Sequence, residues 1–132
     1  MLGKLLLTLS AAGQAFGSFL ADFNETHIYN PRWPPHAKFH NGQTMSMGIG
    51  LGLATLYYTY RRTASKAAAD DSLFTAAIVG SLYWITGVSA ILYPGTKMTD
   101  PEFGDGSPQA IIFPAFAVLA WAGWWLETKV LA

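Results

Sequence analysis

The sequence predicts an all-α integral-membrane protein: an up-down bundle of four transmembrane helices in a single domain, residues 1–132. Two observations carry this. Hydrophobic residues make up 52% of the 132 and charged residues only 12%, where an ordinary soluble domain carries roughly 25% charged. The charges are also absent from four long stretches, residues 5–21, 39–60, 72–96 and 106–126. Crossing the hydrocarbon takes ~20 apolar residues. A soluble helical bundle would instead need a charged outer stripe on each helix.

The first helix is expected at about 2–22. Lys4, an apolar run and the small residues Ala11 and Ala12 resemble a secretory signal, but the segment stays apolar through Phe19 and Leu20, which favours a retained span. The second helix is expected at about 34–62, opened by Pro34-Pro35, because proline suits a first helical turn. The third is expected at 72–94, closed by Pro94-Gly95. The fourth is expected at about 109–129, with a kink at Pro114.

Loops 23–33 and 95–108 then lie on one side, and loop 63–71 lies on the other with both termini. Lys4, Arg61, Arg62, Lys66 and Lys129 fall on the terminal side, and Arg32, Lys38 and Lys97 on the opposite side. Cytoplasmic loops carry the positive excess, so the termini are expected in the cytoplasm and residues 22–40 in the lumen or outside. Tyr57, Tyr58 and Tyr60 with Trp121, Trp124 and Trp125 fit an aromatic belt at the cytoplasmic interface. The sequon Asn24-Glu25-Thr26 sits tight against the membrane and is expected to be unused. Zero net charge argues against nucleic acid as a partner. With no Cys, disulfides and thiolate metal sites are excluded.

The stretch DFNETHIYNPRWPPHAKFH, residues 22–40, gathers all three histidines beside Asp22 and Glu25. Polar stripes inside the helices point the same way. Ser10, Gln14, Ser18 and Asp22 share one face by four-residue spacing, and so do His36, His40, Gln43 and Met47. Thr86, Ser89 and Tyr93 form a third stripe, with Thr75 on the same helix. Polar groups are expensive in hydrocarbon and face the interior, so a cavity is expected at the mouth formed by 22–40, with Gln14, Ser18, Trp33, Gln43 and Tyr93 contacting a substrate. Helix–helix hydrogen bonding is the plainer use of the Ser, Thr and Gly residues. The pair Gly13 and Gly17 allows close packing within a chain or between copies, so a homo-oligomer stays open.

Three uses of the cluster stand side by side. One is acid/base chemistry on a lipophilic molecule by Asp22, Asn24, His27, His36 and His40, with no cofactor, since His titrates near neutrality. The second is a divalent metal held by His36 and His40 at i, i+4, with Asp22 or His27 completing the set. The third is purely structural: Asp22, Asn24 and Thr26 cap and turn the chain, and the histidines sit at headgroup level. Asp100, Glu102 and Asp105 in loop 95–108 could lean over the mouth as further acids. A non-catalytic ligand-binding or assembly protein is the rival to an enzyme.

The run Asp22-x-Asn24-x-Thr26-His27-x-x-Asn30-Pro31-x-Trp33-Pro34-Pro35-His36-x-x-x-His40 resembles a family of small four-span membrane proteins from fungi and bacteria, mostly of unknown function and sometimes labelled acetyltransferase. The chain has no glycine-rich pyrophosphate loop and no basic pocket for acetyl-CoA. Its size and plan are also similar to small integral-membrane enzymes of fungal natural-product pathways, which hydrolyse, isomerise or cyclise oily intermediates such as epoxides and terpenoids. That likeness implies Asp22 as the acid, with Asn24, His27 and His40 orienting water or substrate.

Overall fold

The computed structural model describes residues 1–130. Among the described residues all regular structure is helical: α1 Leu2–Asp22, α2 Pro35–Tyr60, α3 Lys66–Ser89 and α4 Ser107–Trp125. Short 3₁₀ turns follow α3 at Ala90–Leu92 and interrupt the last loop at Pro101–Phe103, and a π turn, Leu126–Val130, extends α4. Each helix packs on its chain neighbours, α4 closes the ring against α1, and α1 touches α3 across the diagonal. Successive helices run antiparallel: Gly48 and Gly52 of α2 meet Gln14 and Ala11 of α1, and Gly80 and Gly87 of α3 meet Ala120 and Phe113 of α4.

The ends have local causes. Pro35 occupies the first turn of α2, where a missing N–H leaves no bond unmade. Helix α3 begins six residues before the expected position 72. Ser65 caps it by accepting from the Ala68 N–H at 3.2 Å, and Lys66 pairs with Asp70 one turn on. The charges that seemed to precede the helix therefore ride on its first turns. Pro114 lies inside α4, which continues as helix to Trp125; a π turn follows at Leu126–Val130.

Three helical segments are long and apolar enough to cross a membrane: Leu2–Asp22, Lys66–Leu92 and Ser107–Val130. Helix α2 falls short of that apolarity, because its first half carries His36, Lys38, His40, Asn41 and Gln43. The outer surface is oily on every helix, with Phe16, Leu20, Leu53, Ile111 and Val118 all well exposed.

The interior reverses a soluble core. Half of its apolar members are alanines: Ala11, Ala76, Ala77 and Ala120, beside Leu7, Met45, Leu73 and Trp84. Between them lie Ser10, Gln14, Ser18, Thr55, Thr59, Ser72 and Ser81, all buried. Gln14 Nε2 donates to the carbonyls of Val79 at 3.0 Å and Gly80 at 2.8 Å, and its Oε1 accepts from Thr55 Oγ1 at 3.3 Å. Ser10 Oγ donates to Gly80 O at 2.8 Å and accepts from Trp84 Nε1 at 3.1 Å. One polar knot thus ties α1, α2 and α3 at mid-height. Small residues let the backbones come this close: a Cβ on Gly48 would sit 2.4 Å from Gln14 O.

Of the three expected polar stripes, only that of α1 turns inward, and it is closed by partners rather than lining an open cavity. The buried face of α2 is Asn41, Met45, Gly48, Gly52, Thr55 and Thr59; His36, His40, Gln43 and Met47 are exposed. On α3, Thr86 is exposed and Tyr93 lies beyond the helix, also exposed.

Candidate functional site

The site lies where α1 ends. The chain leaves the helix at Phe23, and Asn24 ties the turn: its Nδ2 donates to Ala21 O at 2.8 Å. Its Oδ1 accepts from the Thr26 N–H at 2.8 Å and from Thr26 Oγ1 at 2.7 Å. Thr26 Oγ1 also lies 2.6 Å from His27 Nδ1. A hydroxyl has one proton. If Thr26 gives it to Asn24, His27 must carry a proton on Nδ1; the reverse would leave two bare oxygens 2.7 Å apart. The network therefore assigns a proton to Nδ1. That nitrogen is 3.8 Å from Asp22 Oδ1.

Asp22 closes the group. Its other oxygen, Oδ2, accepts from Asn41 Nδ2 at 2.9 Å across the α1–α2 seam. The Asp22 side chain is 18% exposed, so the carboxylate is held from below and reachable from the mouth. Below it, Ser18 Oγ and Asn41 Oδ1 are buried without hydrogen-bond partners. The Tyr83 side chain, from α3, lies beside Ser18.

The loop after α3 covers one flank. Arg32 pairs with Glu102, Trp33 Nε1 points to Asp100 Oδ2 at 3.4 Å, and the Trp33 ring meets His27 edge-on with centroids 4.6 Å apart. A cleft of about 290 Å³ runs between the two segments, lined by Thr26, His27, Trp33, Lys97, Asp100 and Phe103. Asp105 stays outside it and accepts from the Ser107 N–H at 2.9 Å, which holds its carboxyl below the usual carboxylate range.

The structure thus brings Asp22, Asn24, His27 and Trp33 together. His36 and His40 stand apart on the exposed start of α2. Their Nε2 atoms face each other at 3.1 Å, and His40 Nδ1 lies 3.3 Å from Gln43 Oε1. No hydrogen bond or ion pair joins them to Asp22 or His27, and among the described residues no three His, Asp or Glu side chains converge as metal ligands. Gln14 is enclosed in the mid-bundle knot, and Tyr93 lies out on the turn after α3. Asn41 and Tyr83 were missed. Asn41 had a signal, since it falls in register with Gly48 and Thr55 on the small-residue face of α2.

A model described as a family of unknown function (DUF6640) matches residues 6–132, and the chain belongs to that family. No curated protein and no solved structure matches it.

Proposed function

We propose that this member of the family is a small multi-pass membrane enzyme that carries out acid/base chemistry on a lipophilic molecule with its own side chains. All four helices cross the bilayer, α2 being sheltered by its neighbours, with both termini cytoplasmic and residues 22–40 lumenal or outside, as the Lys and Arg distribution favours. The observation that carries the reading is Asp22. A carboxylate anchored by Asn41, 3.8 Å from the His27 nitrogen that bears a proton, stands where an oily bundle meets water. An ionisable group in that position is by default a functional-site hypothesis.

The residues divide the work. Asp22 and His27 hold and move one proton at the substrate oxygen. Asn41 fixes the carboxylate, and Asn24 acts through Thr26 to fix the imidazole. Trp33 and the loop tied by Arg32–Glu102 shelter the flank. Opening an epoxide, closing a ring and shifting a double bond all need a proton delivered to or taken from such a molecule, and a positioned group contributes typically ~10²–10⁴-fold. Asp22→Asn keeps the shape and the contact to Asn41 while removing the proton carrier. The enzyme reading requires that it abolish conversion of a lipophilic compound while the protein still folds.

One observation favours a second reading, an assembly subunit. Ser46, Gly50 and Ala54 recur at four-residue spacing on the outward side of α2, and nothing lies within 4 Å of a Cβ on Gly50. Such a face suits close helix contact between copies. That reading requires a defined oligomer in detergent and no compound converted.

A further inference from the structure

His36 and His40 lie on the exposed first turns of α2, outside the Asp22–His27 group. Four-residue spacing puts both imidazoles on one face, and their Nε2 atoms face each other 3.1 Å apart. The far end of His40 is held as well: its Nδ1 lies 3.3 Å from Gln43 Oε1. An amide oxygen only accepts, so Nδ1 bears the proton and Nε2 presents its lone pair. The single hydrogen between the rings then belongs to His36 Nε2. Phe39 braces both rings, parallel to His36 with centroids 6.2 Å apart and edge-on to His40 at 5.5 Å.

Two ring nitrogens at this separation also have the bite of a chelate. Imidazole nitrogens bind Zn²⁺ at about 2.0–2.1 Å. A pair 3.1 Å apart then subtends an angle of about 100° at one ion, between the ~90° of a square-planar site and the ~109° of a tetrahedral one. The ion takes the place of the shared hydrogen, which moves to His36 Nδ1, so both rings stay neutral. Gln43 is the outer partner that holds a ligating histidine in one tautomer and orientation. Lys38, the nearest cation in sequence, falls about 160° round the helix from both rings and does not repel the ion. Imidazole suits Zn²⁺, Cu²⁺ and Ni²⁺, whereas Mg²⁺ prefers oxygen. We propose that His36 and His40 chelate one divalent transition-metal ion at the mouth of the bundle, without Asp22, and that water fills its remaining positions. The site is separate from the acid/base reading and stands or falls without it.

The test uses the full chain in detergent, purified without a polyhistidine tag and stripped of metal with EDTA. It is titrated calorimetrically with Zn²⁺ and Cu²⁺, and with Mg²⁺ as the control. One Zn²⁺ or Cu²⁺ should bind per chain, Cu²⁺ the more tightly, and Mg²⁺ should not bind. Gln43→Ala, which keeps both ligands, should weaken binding about 10-fold. His36→Ala and His40→Ala, which each remove a ligand, should weaken it further, and Asp22→Asn should leave it unchanged. All three α2 side chains are exposed, so these variants should melt with the parent. Bound Cu²⁺ should show coupling to two ring nitrogens in electron paramagnetic resonance, and to one in His40→Ala. Absence of saturable binding at one ion per chain overturns the proposal and leaves the pair sharing a proton only. Binding that survives in the His36→Ala/His40→Ala double variant also overturns it, as does binding lost in Asp22→Asn, which would place the ion at Asp22 and His27 instead.

Discussion

Gly48 and Gly50 lie two residues apart on α2, and the structure assigns them opposite sensitivities. A Cβ added at Gly48 would lie 2.4 Å from the backbone oxygen of Gln14, while one added at Gly50 meets nothing within 4 Å. Comfortable contact needs roughly 3.5 Å, and a backbone oxygen in a helix cannot swing aside. Gly48→Ala therefore forces α1 and α2 apart by about 1 Å, and overpacking of that kind costs ~1–3 kcal/mol. Both substitutions gain the same helix propensity, roughly 0.5–1 kcal/mol, so it cancels in the comparison. Gly50→Ala should be neutral or stabilising, and Gly48→Ala should melt about 4–12 °C below it. The assay is thermal unfolding in detergent, followed by circular dichroism on all three proteins. Equal midpoints for the two variants would refute the packing of α1 on α2, and with it the placement of Ser18 beside Gly48.

Gln14→Ala removes three hydrogen bonds between helices. Bonds of this type average ~0.6 kcal/mol in membranes and reach ~2, so the loss should be about 2–4 kcal/mol, read by the same melt. Lost activity at unchanged stability would instead make Gln14 a substrate contact. Asp105 should titrate below an ordinary exposed Asp in a carboxyl NMR titration, because the Ser107 N–H favours its ionised form. Since its folded pKa is depressed, whatever it contributes at the start of α4 is present above the ordinary Asp range and lost as pH falls through the lowered value. A titration midpoint at or above the ordinary value would show that the Ser107 contact is absent in solution.

What the sequence made legible, and what it hid, follows from the solvent. Charge-free stretches locate helices well when lipid is the surrounding phase, and the four helices fall close to them. The same logic misplaced the start of α3, because Asp70 and Asp71 are carried on a helix that begins earlier, at Lys66, behind its Ser65 cap. Hydropathy says little about which face of a helix turns inward, since lipid is as apolar as a packed interior. On α2 the titratable His36 and His40 drew the eye, while the inward face was written in small residues, Gly48, Gly52 and Thr55, at alternating spacings of three and four. Reading that register would have placed Asn41 inside. Within the site, Asp22, Asn24 and His27 are joined by contacts only a few residues long, which sequence can suggest. The Arg32–Glu102 tether and the reach of Tyr83 span some 65–70 residues and leave no local trace.

The central claim is that Asp22 does chemistry. It is tested most directly by expressing wild type and Asp22→Asn in a host lacking the gene, confirming equal membrane abundance and equal melting, and comparing the extracted lipophilic metabolites. The account predicts a compound consumed, and its product formed, by the wild type alone. Identical extracts from cells with wild type and Asp22→Asn would contradict it.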